Sequence, residues 1–152
     1  YKLDIQRDEL DWSLGVNGEI TLSGDDRFYH QHDPELLPNG HLLLYDNGGP
    51  MRPESRALEI AYDPAAKTAR KVWAYNPDEM LYTQIWGDAD RLPNDNRLIV
   101  FGFRNRTSNS RVIEVTESKE RVWELKAPTR WGWYRARRVA DPTFSRVLTP
   151  AP

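Results

Sequence analysis

The sequence predicts an all-β protein built from repeated, four-stranded antiparallel sheets. Three observations support this fold class: parts of the chain repeat, short apolar runs follow the partial two-residue alternation of strands, and Pro, Asn and Gly residues separate these runs. No long stretch has the 3.6-residue apolar period of an amphipathic helix, so we expect little helix. Repeated sheets of this kind are typical of β-propeller blades, with a solenoid or a sandwich as the alternative.

The repeat is clearest at two motifs. The letters LPNG at residues 37–40 return as LPND at 92–95, and SRALEI at 55–60 returns as SRVIEV at 110–115, each after 55 residues. In LPNG, proline fixes φ and Asn-Gly tolerates positive φ, so this motif predicts a tight turn into the next strand. Each unit also closes on a tryptophan-containing strand, and we expect Trp12, Trp73 and Trp123 to pack between blades.

These boundaries divide a single partial propeller domain, residues 1–152, into pieces. Residues 1–15 would end one blade, residues 16–76 and 77–126 would form two complete blades, and residues 127–152 would supply a final strand, in the letters GWYRARRV, and a tail. Two complete blades cannot close a ring. We therefore expect the remaining blades to come from the rest of a longer chain or from another chain.

Composition excludes several functional classes. The net charge of −2 gives no general attraction to nucleic acid, and no apolar run approaches the length of a membrane span. The chain has no cysteine, which excludes disulfides, thiolate zinc sites and cysteine nucleophiles. No targeting signal is visible, and a processed or truncated product is one interpretation. Asp88, Asp90, Asn94 and Asp95 lack the spacing of a calcium loop and are interpreted as a solvated turn, and Asp33 is interpreted as a loop carboxylate.

All three histidines lie within residues 30–41. His32 precedes the first turn of its unit, where a side chain can face the propeller channel. His30 would share a strand face with His32 in an extended chain. His41 follows the LPNG turn and is interpreted as a surface or turn residue. Two aromatic residues, Trp86 and Tyr134, are candidates for lining an aromatic substrate pocket.

The order of these motifs is similar to that of a known family. The stretch QHDPELLPNGHLLLYDNG, with SRALEI and ARKVWAY after it, and then WGDADRLPNDNRLIVFG, SRVIEVT, ERVWELK and YRARR, resembles the arylsulfotransferase family of β-propellers. The likeness covers about residues 10–138 and suggests the C-terminal portion of such a propeller.

The resemblance implies a six-bladed ring that transfers a sulfuryl group through a histidine, from an aryl sulfate ester to a phenolic acceptor. It matches His32 and Arg56 to an active-site histidine and arginine, and it implies a periplasmic or secreted location. Arginine suits this chemistry because its forked donors fit the charged oxygens of a sulfuryl group, and imidazole can attack sulfur or move a proton. Neither role needs a metal or a cofactor. His30, Trp86, Arg111 and Tyr134 are the candidate substrate-binding residues.

Two features keep alternatives open. Arg111 repeats Arg56 in the next unit, so both arginines could instead join neighbouring blades, for example through Glu59. The 55-residue offset places Gly87 opposite His32, and a nucleophilic histidine must then come from other blades. A propeller without that nucleophile would be a non-catalytic scaffold that binds a ligand or a protein. An unrelated propeller hydrolase or lyase is a third possibility that no residue supports.

Overall fold

The structure, a computed structural model, describes residues 1–50, 52–77, 81–103 and 110–139. These residues contain ten strands and no α-helix. The strands are β1 (Lys2–Asp4), β2 (Glu9–Trp12), β3 (Gln31–Leu36), β4 (Leu42–Asp46), β5 (Arg56–Asp63), β6 (Thr68–Tyr75), β7 (Ile85–Arg91), β8 (Arg97–Phe103), β9 (Arg111–Val115) and β10 (Arg121–Lys126).

The strands form two four-stranded antiparallel sheets, as the sequence predicts. The first sheet has the order β3-β4-β5-β6 and the second has the order β7-β8-β9-β10, while β1 and β2 form a separate hairpin. Each sheet is a meander, because every strand pairs with its neighbour in sequence. The predicted turn joins β3 to β4, with Gly40 at a φ of 82°, and Asp95 has a φ of 64° at the same place between β7 and β8.

A buried apolar layer joins the two sheets face to face. Leu43, Tyr45 and Ala57 of the first sheet pack with Ile99 and Phe101 of the second. The Tyr45 and Phe101 rings meet edge to face, with centroids 5.6 Å apart. The strands β3 and β4 lie against β7, so the first strands of the two sheets are neighbours. In a ring of such sheets, these first strands would line the central channel.

A polar contact supplements this layer. Arg97 of the second sheet donates from Nη2 to Glu59 Oε2 of the first at 2.8 Å, and its guanidinium lies 4.7 Å from the ring centroid of Trp73. Burial by itself would raise the pKa of Glu59, but hydrogen bonds from Arg97, His41 and Asn39 outweigh it and hold the pKa below its ordinary value. Glu59 therefore stays charged between the sheets.

The final strand predicted in GWYRARRV does not form among the described residues. Residues 131–139 form no strand; instead the Trp133 amide donates to Ser110 Oγ at 3.2 Å and the Ala136 amide to Asp88 Oδ2 at 3.3 Å. A strand is defined by a partner strand, and among the described residues nothing pairs with this segment. Trp133 and Ala136 pack on the apolar face of the second sheet formed by Leu98 and Val100.

The three tryptophans predicted to pack between blades differ in burial and in contacts. Trp73 is 9% exposed and donates from Nε1 to the Glu117 carbonyl of the second sheet at 2.9 Å. Trp12 packs on Tyr62, with centroids 4.8 Å apart. Trp123, at the position of Trp73 in the second sheet, is 45% exposed. The prediction for Trp123 is not met within the described residues, because no third sheet covers it there.

Candidate functional site

Three of the predicted site residues lie together at the first strands of the two sheets. His32 of β3 meets Tyr134 edge to face, with ring centroids 6.4 Å apart, and Tyr134 meets Trp86 of β7 at 6.3 Å. Trp86 also packs against Phe103, with ring centroids 6.1 Å apart. We call His32, Trp86 and Tyr134 the aromatic wall. Tyr134 is 59% exposed, so one face of the wall is open to a ligand.

The environment of His32 favours its neutral form. Burial lowers the pKa of the imidazole, the nearby His30 lowers it further, and only Asp33 opposes the change. A neutral imidazole has an unprotonated nitrogen with a lone pair. His32 can therefore accept a proton or attack an electrophile at neutral pH.

A group of charged residues adjoins the wall. Asp33 of β3 and Asp88 and Asp90 of β7 bring carboxylate oxygens within 4.8 Å of one another. Arg135 forms an ion pair with Asp33, and its Nε lies 3.7 Å from Asp88 Oδ1. We call these four residues the carboxylate cluster. Three oxygens at this separation could face a cation, but Arg135 already supplies positive charge there, so we assign no metal.

Asp88 is the most perturbed acid of the cluster. Its side chain is 1% exposed, and burial, together with a hydrogen bond to Asp33 and the charge of Asp90, raises its pKa to about 8. The Ala136 amide, which donates to Asp88 Oδ2, only partly offsets these effects. Asp88 is therefore mainly protonated at neutral pH.

The interpretation of these acids as solvated loop or turn residues is wrong. Asp33 lies on β3, and Asp88 and Asp90 lie on β7. The two-residue spacing of Asp88 and Asp90, with the fully buried Ala89 between them, is the sequence signal that could have placed them on one strand face. The Pro, Asn and Asp residues that follow are typical of a turn, and they favoured assigning the whole segment, with Asp88 and Asp90, to that turn.

The alignment of Gly87 with His32 is also wrong; the structurally equivalent residue is one position later in the chain. In β3, His32 pairs with Tyr45 and Glu35 pairs with Leu43, so two residues bulge between them. In β7 no bulge occurs, and Asp88 pairs with Val100. Counted from the paired strands, Asp88 occupies the position of His32. A 55-residue offset cannot reveal this, because it assumes equal strand lengths.

The backbone conformation and a close neighbour explain why residue 87 is glycine. Its φ is 142°, and a Cβ built on it would overlap the ring of Tyr45. Tyr45 is fixed in turn by a 2.7 Å hydrogen bond between its hydroxyl and Thr83 Oγ1. Any side chain at position 87 would thus meet a ring that cannot easily move.

His30 does not share a strand face with His32. It precedes β3 with a φ of 52°, which turns the chain out of the extended conformation. Its side chain lines a different cavity of about 340 Å³ with Phe28 and Tyr29. His41 forms a 2.8 Å contact from Nδ1 to Glu59 Oε1. This contact stabilises the turn after LPNG, where the sequence predicts a turn residue.

The two predicted arginines lie outside the wall and the carboxylate cluster. Arg56 is 5% exposed; its donors reach Asp46 Oδ2 at 3.2 Å, Asp25 Oδ2 at 3.3 Å, and the carbonyls of Asp25 and Arg27 at 2.7 and 2.9 Å. Arg111 forms a 3.3 Å ion pair with Glu124. Four hydrogen bonds from Arg56 support an architectural role, and its carboxylate partners are Asp46 and Asp25 rather than Glu59.

Comparison with known proteins adds the family. A search of curated proteins found no match. No helix among the described residues is long and apolar enough to cross a membrane. The model of the family described as Arylsulfotransferase (ASST) matches residues 3–135, which is most of the chain and includes both sheets, the aromatic wall and the carboxylate cluster. With its four-stranded antiparallel sheets, the chain belongs to the arylsulfotransferase family of β-propellers.

Proposed function

We propose that the chain contributes to the transfer of a sulfuryl group from an aryl sulfate ester to a phenolic acceptor, and that His32 takes part in that transfer. The observation that carries this proposal is a half-buried histidine of lowered pKa beside the exposed ring of Tyr134, which in turn packs on Trp86. Aromatic rings bind an aryl group by stacking or edge contacts. The substrate ring would thus lie next to the imidazole.

We assign proton transfer to His32, with the nucleophilic histidine on another blade. That nucleophile forms a bond to sulfur as the bond from sulfur to the aryl oxygen breaks, and the phenolate leaves with the electron pair and a proton from the His32 imidazolium. The acceptor oxygen then attacks sulfur, the nitrogen–sulfur bond breaks, and neutral His32 takes the acceptor's proton. The proton count balances over one cycle; the lowered pKa favours the second half, in which neutral His32 takes the proton, and the first half uses the protonated fraction of His32.

The positive charge for the sulfuryl oxygens would come from Arg137 rather than from Arg135 or Arg56. Arg135 is already paired with Asp33, and Arg56 makes four hydrogen bonds, to Asp46 and to the segment before β3. Arg137 lines a cavity of about 420 Å³ beside Asp33 and Asp90. Forked guanidinium donors suit a sulfuryl group in transfer.

Replacing His32 with alanine is expected to lower the rate of transfer by about 10²- to 10⁴-fold, the usual contribution of a general acid–base. The assay uses the complete propeller that contains these blades, with 4-nitrophenyl sulfate as donor and phenol as acceptor. His41→Asn is the matched control, because the equivalent residue, Asn96, makes the same contact with Glu114 at 2.7 Å.

Equal rates for His32→Ala and the unchanged protein would remove His32 from the mechanism. Binding of the aryl sulfate without transfer, in the unchanged protein, would favour the non-catalytic scaffold instead. The discriminating feature of that scaffold is the lack of a nucleophilic histidine on the other blades.

We further propose that other blades cover the second sheet, and that the complete propeller acts in the periplasm or outside the cell. Val122, Trp123 and Leu125 of β10 are 45–49% exposed, whereas Trp73, at the position of Trp123 in the first sheet, is covered by the second sheet. A row of half-exposed apolar side chains on an edge strand favours a covering partner. Six blades remain the number implied by the family.

The 152-residue chain alone is therefore expected to self-associate or to bind the dye anilinonaphthalene sulfonate strongly. Light scattering after size exclusion and dye fluorescence would measure this. Trp123→Ser should reduce dye binding, whereas Trp12→Ser, on the hairpin, is the control at a site packed on Tyr62. A monomer that unfolds cooperatively and binds no dye would contradict the proposal of further blades.

A further inference from the structure

One carboxylate oxygen of Asp88 has no hydrogen-bond partner, and the residues around it show how this is tolerated. Its Oδ1 is buried and accepts no hydrogen bond from the described residues, because Arg135 Nε is too far away at 3.7 Å. A buried carboxylate oxygen without a donor is costly. A proton on Asp88 would remove the cost, since the acid could then donate to Asp33, whose carboxylate oxygen lies within 4.8 Å in the cluster.

The charge balance also requires one proton. The charged groups that face Asp88 are Asp33 from β3, Asp90 from its own strand, and Arg135 and Arg137 from the segment 131–139. Two adjacent carboxyl groups in a buried site do not both ionise readily. With one shared proton, the pair has a charge of −1 that Arg135 balances, and Arg137 offsets Asp90.

The pair is connected to the aromatic wall through the chain itself. Arg135 and Ala136 directly follow Tyr134; Arg135 binds Asp33, and the Ala136 amide donates to Asp88 Oδ2 at 3.3 Å. In the described residues, no strand pairs with this segment. The two acids therefore supply an anchor for Tyr134 that a paired strand would otherwise provide.

We propose that Asp33 and Asp88 share one proton and act as positioning residues, which hold Tyr134 against His32 and make the aromatic wall sensitive to alkaline pH. Loss of the shared proton places two negative charges on one arginine and strains the anchor. The consequence for sulfuryl transfer rests on the proposed function, whereas the anchor itself does not.

The first test is independent of turnover. Aspartate labelled with carbon-13 at the carboxyl carbon reports each titration by NMR, and the signals of Asp33 and Asp88 are assigned by their disappearance in the asparagine variants. We expect Asp88 to titrate near pH 8 and the ring signals of Tyr134, assigned with Tyr134→Phe, to shift with the same midpoint. Asp88→Asn, which mimics the protonated acid, should abolish that shift.

Asp90→Asn is the matched control, because Asp90 is two residues away and raises the pKa of Asp88 only through its charge. That variant should keep the titration and move its midpoint to lower pH. An Asp88 signal that titrates below pH 6, or a Tyr134 shift that persists in Asp88→Asn, would overturn the proposal.

The second test uses transfer activity in the complete propeller. The unchanged protein should lose activity above about pH 8, Asp88→Asn should lose this decline, and Asp88→Ala should be about tenfold less active than Asp88→Asn at pH 7. A decline of equal midpoint in Asp88→Asn would contradict the positioning role. If no variant transfers a sulfuryl group, the proposed function fails while the NMR result still decides the anchor.

Discussion

Replacing Arg97 with alanine is expected to lower the free energy of unfolding by about 3–5 kcal/mol, because it leaves the carboxylate of Glu59 buried without its main partner. The side chains of Arg97 and Glu59 are 2% and 4% exposed, and the two groups join different sheets. The stacked contact with Trp73 is lost as well. Urea denaturation of the two proteins measures the difference.

Two further variants test the cause. Arg97→Met combined with Glu59→Gln removes both charges and should recover a large part of the loss. Lys67→Ala, which breaks the exposed 3.5 Å pair with Glu19, should cost less than about 1 kcal/mol. A loss below 1 kcal/mol for Arg97→Ala would show that the ion pair contributes little to the packing of the sheets.

The pair of Arg97 and Glu59 also predicts that the stability of the fold falls at low pH. The pKa of Glu59 is lower in the folded chain than its ordinary value of 4.5, so its contribution is complete above that value and is lost as the pH falls through the folded pKa. Unfolding of the unchanged protein should therefore become easier below about pH 4.5. Glu59→Gln should reduce that dependence.

Replacing Gly87 with alanine is expected to lower the free energy of unfolding by roughly 2–6 kcal/mol. The backbone has a φ of 142°, which strains any L residue by about 1–3 kcal/mol, and overlap with the Tyr45 ring adds about 1–3 kcal/mol. Because Gly87 lies beside Trp86 and Asp88, loss of the aromatic wall should accompany the loss of stability. Urea denaturation and tryptophan fluorescence measure the two effects.

Gly40→Ala is the control for the backbone alone. Gly40 has a φ of 82°, with no atom within 4 Å of the added Cβ, so its cost should be about 1–2 kcal/mol. Tyr45→Leu in the Gly87→Ala background should recover part of the larger loss if the ring is its cause. Equal losses at positions 40 and 87 would contradict the role of Tyr45.

Much of the fold was predictable because local signals repeat. The LPNG and LPND turns, and strands such as HLLLYD and NRLIVFG, specify antiparallel pairing between neighbours in sequence, and each piece supports the others. The strand predicted in GWYRARRV stays a prediction, because no described strand pairs with it. A strand needs a partner, and a pattern in one segment does not reveal whether the partner is present.

The candidate site was predictable in part. The sequence suggests Trp86 and Tyr134 as the lining of an aromatic pocket, and in the structure Tyr134 contacts His32 while Trp86 contacts Tyr134. The resemblance to the family matches Arg56 to an active-site arginine, yet its donors are used by Asp46 and the backbone near Asp25. Whether an arginine is free or engaged depends on distant parts of the chain, which no local pattern contains.

The all-β class, the repeat, the turns and the likeness to the arylsulfotransferases can be inferred from the sequence, because these depend on residues close together in the chain. Three features appear only in the folded chain: a bulge in β3 aligns His32 with Asp88, Tyr134 contacts His32 from about a hundred residues away, and the carboxylate oxygens of Asp33 and Asp88 lie within 4.8 Å. The physical reason is that burial and the meeting of like charges arise only when the sheets pack. A carboxyl group that is ordinary in the sequence becomes a proton-holding acid in that packed site.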